Sequence, residues 1–408
     1  MGGSSGRRGS RHRVLRLLLA GGVMALSLSA GTGAATASPH GGHPTVALPP
    51  ATGPHPIGTT TLHLVDGDRT DLWDPDAGVR EMMVTLWYPA RAETGRRAPY
   101  MSPEESAAAI GAQGLDIPLD TLSSIGTNAF VDAPVAGAPR SAPLVVLSPG
   151  AGFGRAWLTV LAEGLAGNGF VVAGVDHAHE ATGVAFPGGR LLDCLACGQD
   201  RWAEASLNRA ADIGHVLDSL TGRGAPWSGS YVIDPRRIGV AGHSAGGSAV
   251  AEVLRSDPRV DAGIGFDAPV FPPALDEGTD RPLAMVTSDL SPPLFHDSQE
   301  QLWPRLGGWR QWLRLTDSGH SSVTDQGYLI DRLGLRDRLP AETMARQFGS
   351  LPTDQGLGVL RDYATAYFTH HLRGERQELV VDPPSVHPGL QVVEAADPEP
   401  TVADGRPQ

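Results

Sequence analysis

Short apolar runs alternating with amphipathic stretches organise most of this chain. Pro143 to Leu147 is apolar throughout and ends in Ser148-Pro149-Gly150-Ala151-Gly152, and a helical stretch follows from Arg155 to Gly167. Phe170 to Val175 is the next apolar run and closes on Asp176-His177. Residues 201–220 place Ala205, Leu207, Ala211, Ile213 and Leu217 at helical spacing. Arg237 to Ala241 predicts a strand and Ala245 to Arg255 a helix; Val260 to Phe266, Pro282 to Val286 and Trp309 to Leu315 predict three more strands, and Gly356 to Leu372 a closing helix. Strands that are apolar on both faces and alternate with helices predict an α/β domain, with a mainly parallel central sheet and helices on both faces. Ahead of this alternation, Thr60 to Val65 and Glu81 to Tyr88 predict antiparallel strands at a sheet edge.

The remaining segments divide the chain. Arg91 to Ser141 is weakly patterned and reads as an insertion or cap. Residues 38–58, rich in Pro, Gly, His and Ala, read as a linker, and 377–408 as a polar, Pro-rich C-terminal tail. That leaves 59–376 as the main α/β domain. Residues 1–37 have the form of a signal peptide. Arg7, Arg8, Arg11, Arg13 and Arg16 precede an apolar stretch from Leu17 to Leu28, and Ala35-Thr36-Ala37 offers a small-residue cleavage site. Twelve residues are too few to cross roughly 30 Å of hydrocarbon, so secretion with cleavage near Ala37 is expected rather than anchoring.

Charge narrows the partners. The 408 residues contain no lysine, so all 32 basic residues are arginine, against 45 acids. Removing the first 37 residues leaves a net charge of about −18. An acidic protein with no basic cluster is not expected to bind nucleic acid.

Gly242-His243-Ser244-Ala245-Gly246 matches G-x-S-x-G, the nucleophile elbow of α/β-hydrolases. Gly2 to Gly6 fits the same pattern, but only Ser244 stands between an apolar strand and an apolar helix, the setting that exposes a serine hydroxyl at a tight turn. In that fold an acid and then a histidine follow the serine along the chain. Among His296, His320, His370, His371 and His387, only His320 lies in a loop at the C-terminal end of a strand, where open α/β sheets bind ligands. Asp267 and Asp289 each end a strand between Ser244 and His320, and their positions alone do not separate them. Backbone N–H groups of Ala245 and Ala151 are the candidate oxyanion donors, the second in a loop that glycines 150, 152 and 154 let approach a substrate.

Other motifs read more plainly. Cys194 and Cys197, the two cysteines, are expected to form a local disulfide in an oxidising compartment. Asp176-His177-Ala178-His179-Glu180 carries metal-ligand residue types, but a polar strand-end loop is the simpler reading. No metal or organic cofactor is expected.

Several segments resemble, in order, the platelet-activating factor acetylhydrolases and their bacterial relatives. They are Glu81 to Ala90, Ala142 to Gly152, Gly169 to His177, Ile238 to Gly247, Gly265 to Ala268 and Gly319 to Asp325, together spanning roughly residues 60–330. The resemblance implies an α/β-hydrolase fold and a serine esterase or lipase acting on lipid or small esters, phospholipids with a short sn-2 acyl group among them, with transient contact at a lipid surface. In that family the acid closes the strand after the elbow helix, which falls on Asp267. Two departures stand out: Pro149 occupies the place of a histidine usual in the oxyanion loop, and Ala245 that of a bulkier residue after the nucleophile. Cutinase-like triglyceride and polyester hydrolases share the Gly-His-Ser-x-Gly-Gly elbow and would place the acid at Asp289. A catalytically inactive binding protein is the reading of a different class, against which the complete Ser-Asp-His set argues.

Overall fold

The computed structural model describes residues 46–397; the signal-peptide reading of 1–37 lies outside them. The chain enters through strands β1 (Ile57–Thr70), β2 (Val79–Pro89) and β3 (Arg97–Pro99), helix α1 (Pro103–Ala112) and β4 (Gly126–Val131). The α/β alternation then runs β5 (Ala142–Ser148), α2 (Thr159–Gly167), β6 (Val171–His177), the small hairpin β7 (Val184–Phe186) and β8 (Arg190–Leu192), α3 (Trp202–Thr221), β9 (Ile233–His243), α4 (Ala245–Ser256) and β10 (Ala262–Phe266). It continues through α5 (Ala274–Glu277), β11 (Leu283–Ser288), α6 (Pro293–Leu302), β12 (Arg310–Leu315), α7 (Asp325–Arg332), α8 (Ala341–Phe348) and α9 (Thr353–Arg373). Two short helices, α10 (Glu378–Val381) and α11 (Pro383–Val386), lead to β13 (Leu390–Ala396).

Eleven strands form one sheet in the order β13-β12-β11-β10-β9-β5-β6-β2-β1-β4-β3. The six from β12 to β6 run parallel. Their uniform apolarity has a direct cause: side chains alternate across a strand, and both faces here are covered. In β5, Leu144 and Val146 join one core with α3 and α4, while Val145 and Leu147 join the other with α2 and α9. All of these side chains are fully buried, so the strand needs no polar face. This is the α/β-hydrolase fold.

Three segments differ from the expectation. β1 and β2 pair antiparallel, yet they are not the edge, because β4 adds parallel to β1 and β3 adds to β4. Residues 91–141, read as an insertion or cap, thus extend the sheet. The stretch read as a linker packs as well: Ala47 and Gly126 bridge, and Leu48 is buried. The stretch read as a tail supplies β13, antiparallel to β12, with Leu390 fully buried. Each of these pairings is non-local, and none carries the apolar periodicity that marks a central strand.

Glu163 in α2 ties β4 to the domain. It accepts the N–H groups of Asn128 and Ala129 at 2.9 and 3.0 Å and the Asn128 side-chain amide at 2.7 Å. Burial pushes its carboxyl up to about 7 against these bonds. The unfolded chain releases this proton near pH 4.5, the folded one near 7. The contribution of Glu163 to stability is therefore expected to be full below pH 4.5 and to fall by about 3 kcal/mol as pH rises to 7. Glu163→Gln should flatten that part of the pH profile, as measured by urea denaturation between pH 4.5 and 8. An unchanged slope in the variant would remove Glu163 as its source.

Candidate active site

The site sits at the C-terminal ends of the parallel strands. β9 ends at His243 and α4 begins at Ala245, so the turn between them consists of Ser244 alone. Its backbone takes φ 54° and ψ −122°, a conformation rare for a non-glycine residue, which lifts the hydroxyl off the sheet. The flanking glycines are steric requirements. A Cβ on Gly246 would lie 2.0 Å from the Ser148 carbonyl oxygen, and one on Gly242 would lie 2.3 Å from the Gly246 backbone.

The loop after β12 delivers His320 onto this turn. The imidazole stands with Nε2 3.1 Å from Ser244 Oγ and Nδ1 2.6 Å from Asp267 Oδ2. Asp267 follows β10 and is 4% exposed. Burial by itself would raise its pKa. The bond from His320, that ring's charge, the Ser288 N–H at 2.8 Å and the Ser291 hydroxyl outweigh it, and the carboxyl lies below its ordinary value. An ionised Asp267 accepts Nδ1–H, which leaves Nε2 free to accept the serine proton.

Asp289 is placed differently. Its Oδ2 accepts the Asp317 N–H at 2.7 Å, and Oδ1 faces Arg314 at 3.4 Å. The other candidate histidines lie apart: His296 is exposed beside Glu300, His370 and His371 belong to α9, and His387 follows α11.

His243, the first variable residue of the elbow motif, also takes part in the site, and nothing in the motif marks it. It is buried, with its ring centroid 4.6 Å from that of His320, and Nε2–H donates to the His320 carbonyl at 2.7 Å. Burial and the neighbouring His320 push its pKa down to about 3, so it stays neutral and holds the His320 backbone without adding charge beside it.

Ala245 and Ala151 both border a pocket that opens to solvent, with Trp73, Trp202, Arg209 and Glu180 among its walls. Cys194 and Cys197, joined in a disulfide as expected, form part of the rim. Neither alanine N–H donates to a protein acceptor among the described residues, which leaves both for an anionic oxygen.

The polar strand-end loop after β6 does not converge on a metal. Asp176 pairs with Arg155, His177 bonds Ser148 and Asp212, His179 faces Asp71 at 3.2 Å, and Glu180 pairs with Arg209. All but the Asp176–Arg155 pair belong to a buried charge network completed by Arg80, which bonds Asp71 at 2.7 Å and Asp212 at 2.6 Å. The sequence offered no sign of it, because Arg80, Arg209 and Asp212 belong to residue types usually found at the surface.

Fold and site geometry together define an α/β-hydrolase with a serine at its elbow. The chain belongs to the family described as platelet-activating factor acetylhydrolase, isoform II, whose model matches residues 40–186. It is 41% identical to a ferulic acid esterase from Streptomyces cinnamoneus of solved structure, with a TM-score of 0.78 over 86% of this chain and 100% of that one. It is also 26% identical over 264 residues to a probable 1-alkyl-2-acetylglycerophosphocholine esterase of Arthroderma benhamiae. That match covers 60% of this chain and 65% of the relative, so the chain spans just under two thirds of the curated relative's length.

Proposed function

We propose that the protein is a serine esterase that cleaves carboxylic esters through an acyl-enzyme on Ser244. The observation that carries this reading is the single imidazole of His320 lying within hydrogen-bond reach of both Ser244 and Asp267. In the proposed cycle Ser244 Oγ bonds to the ester carbonyl carbon as its proton passes to His320 Nε2. The carbonyl oxygen becomes an oxyanion held by the N–H groups of Ala245 and Ala151. Collapse breaks the bond to the alcohol, which leaves with the proton from His320. Water then attacks the acyl-enzyme by the same steps, and Ser244 is restored.

The relatives support two substrate classes. One candidate class is a phospholipid carrying a short sn-2 chain. Family membership and the fungal relative support that class. A second reading, an ester of an aromatic acid, is favoured by Trp73 and Trp202 in the wall beside the oxyanion amides and by the ferulic acid esterase neighbour. The pattern of residues 1–37 supports export, so the protein recovered from culture medium should begin near Ser38 when its N-terminus is sequenced.

Hydrolysis of a set of esters by the purified protein tests the reading. The set comprises nitrophenyl acetate and butyrate, a short-sn-2 phosphatidylcholine, methyl ferulate, a triglyceride and a polyester film. Preference for the phosphatidylcholine supports the lipid reading, and preference for methyl ferulate the aromatic one. Cleavage confined to triglyceride or film would point to a cutinase-like specificity. A folded protein that cleaves none of them would overturn the esterase proposal.

A further inference from the structure

Behind the oxyanion loop lies a second Ser-His-Asp array. Ser148 Oγ stands 2.9 Å from His177 Nε2, and His177 Nδ1 stands 2.8 Å from Asp212 Oδ2. No substrate can reach it, since Ser148, His177 and Asp212 are at most 1% exposed. Burial and the charge of Arg209 keep His177 neutral, so Nδ1–H donates to Asp212 and Nε2 accepts the Ser148 hydroxyl proton. The array is thus a set of fixed bonds at the root of the loop that carries Ala151.

Arg209, on α3 and 1% exposed, reaches that loop from the same side and also forms part of the wall of the pocket that Ala151 and Ala245 border. Its Nε donates to Glu180 at 2.6 Å, and its Nη1 donates to the Pro149 carbonyl. Glu180 in turn accepts the Gly152 N–H on its backbone carbonyl at 2.9 Å, while its carboxylate accepts Trp73 Nε1 and Asn208 Nδ2, both at 2.9 Å. The consequence is geometric. The Ala151 N–H belongs to the Gly150–Ala151 peptide. The peptides on either side of it are held, one at the Pro149 carbonyl and the other at the Gly152 amide. Both holds meet in the Arg209–Glu180 pair. A peptide plane bracketed in this way has little freedom to turn its N–H away.

We infer that Arg209 is a positioning residue for the oxyanion hole, fixing the direction of the Ala151 N–H through Pro149 and Glu180. The inference rests on the esterase reading above. An oxyanion donor contributes only where charge develops, so losing its alignment should lower kcat and leave ground-state binding in place. Lysine cannot replace Arg209, because a single ammonium lacks the planar fork that spans a carboxylate and a carbonyl together.

The test compares Arg209→Lys and Arg209→Met with Leu217→Ala, a core truncation on the same helix, using nitrophenyl butyrate and a trifluoromethyl ketone that forms the oxyanion without turnover. Both Arg209 variants should lose about 10²-fold in kcat, the effect of removing one oxyanion donor. KM should stay within about threefold, and ketone affinity should fall in parallel with kcat/KM. Leu217→Ala should melt earlier yet keep its kcat/KM, separating lost stability from lost alignment. Where Arg209→Met does not fold, Arg209→Lys, which retains the buried cation, decides. Native kcat in Arg209→Lys, or a loss confined to KM with ketone affinity unchanged, would overturn the inference. A wild-type protein that neither hydrolyses esters nor reacts with a fluorophosphonate would instead overturn the esterase reading itself.

Discussion

Ser244→Ala is expected to lower kcat by about 10⁶-fold, the scale seen when the nucleophile of a serine hydrolase is removed. The substitution deletes one oxygen at a position already held at φ 54°, and alanine meets the same backbone strain as serine there. The melting temperature should therefore change little. His320, Asp267 and the amides of Ala245 and Ala151 all remain, so residual catalysis should come from binding and oxyanion stabilisation alone. Steady-state kinetics on nitrophenyl butyrate measures the loss, and a fluorophosphonate probe that marks the wild type should leave the variant unmarked. Labelling that persists in Ser244→Ala would move the nucleophile elsewhere in the chain.

Asp267→Asn should lower kcat by about 10⁴-fold, through the tautomer of His320 rather than through lost contact. Ser288 N–H and the Ser291 hydroxyl both bond Asp267 Oδ1, while Oδ2 alone faces His320. In the asparagine variant those two donors retain the carbonyl oxygen, which turns the NH2 group toward Nδ1. The ring then accepts at Nδ1 and carries its proton on Nε2, where it can no longer take the proton of Ser244. Asp289→Asn keeps a carbonyl oxygen for the Asp317 amide and should hold kcat within about threefold of wild type. The reverse pattern would transfer the acid to Asp289 and with it the plan of the cutinase-like enzymes.

The two aspartates show where reading the sequence stops. Each ends an apolar strand between the elbow and the histidine loop, and the local pattern around them is the same. The structure separates them by the distance to one imidazole 53 residues further along. No periodicity carries information over that range, and family resemblance alone had pointed to Asp267. The buried charge network was less legible still. Arg80 and Arg209 are written in the chain like any other arginine, and only their partners at the ends of β6 and along α3 reveal that they are buried.

What the sequence determined by itself was the alternation of strands and helices, the elbow at Ser244, and the order of serine, acid and histidine. These depend on steric and apolar patterns within a few residues, such as the burial of both faces of β5 or the close approach of Gly246 to Ser148. Tertiary structure alone decided which carboxylate meets His320, how the loop after β5 is held from behind, and that residues 91–141 and the C-terminal stretch extend the sheet. Each of those outcomes is a contact between distant segments, and hydrogen bonds and ion pairs form according to final distance and burial rather than to the pattern along the chain.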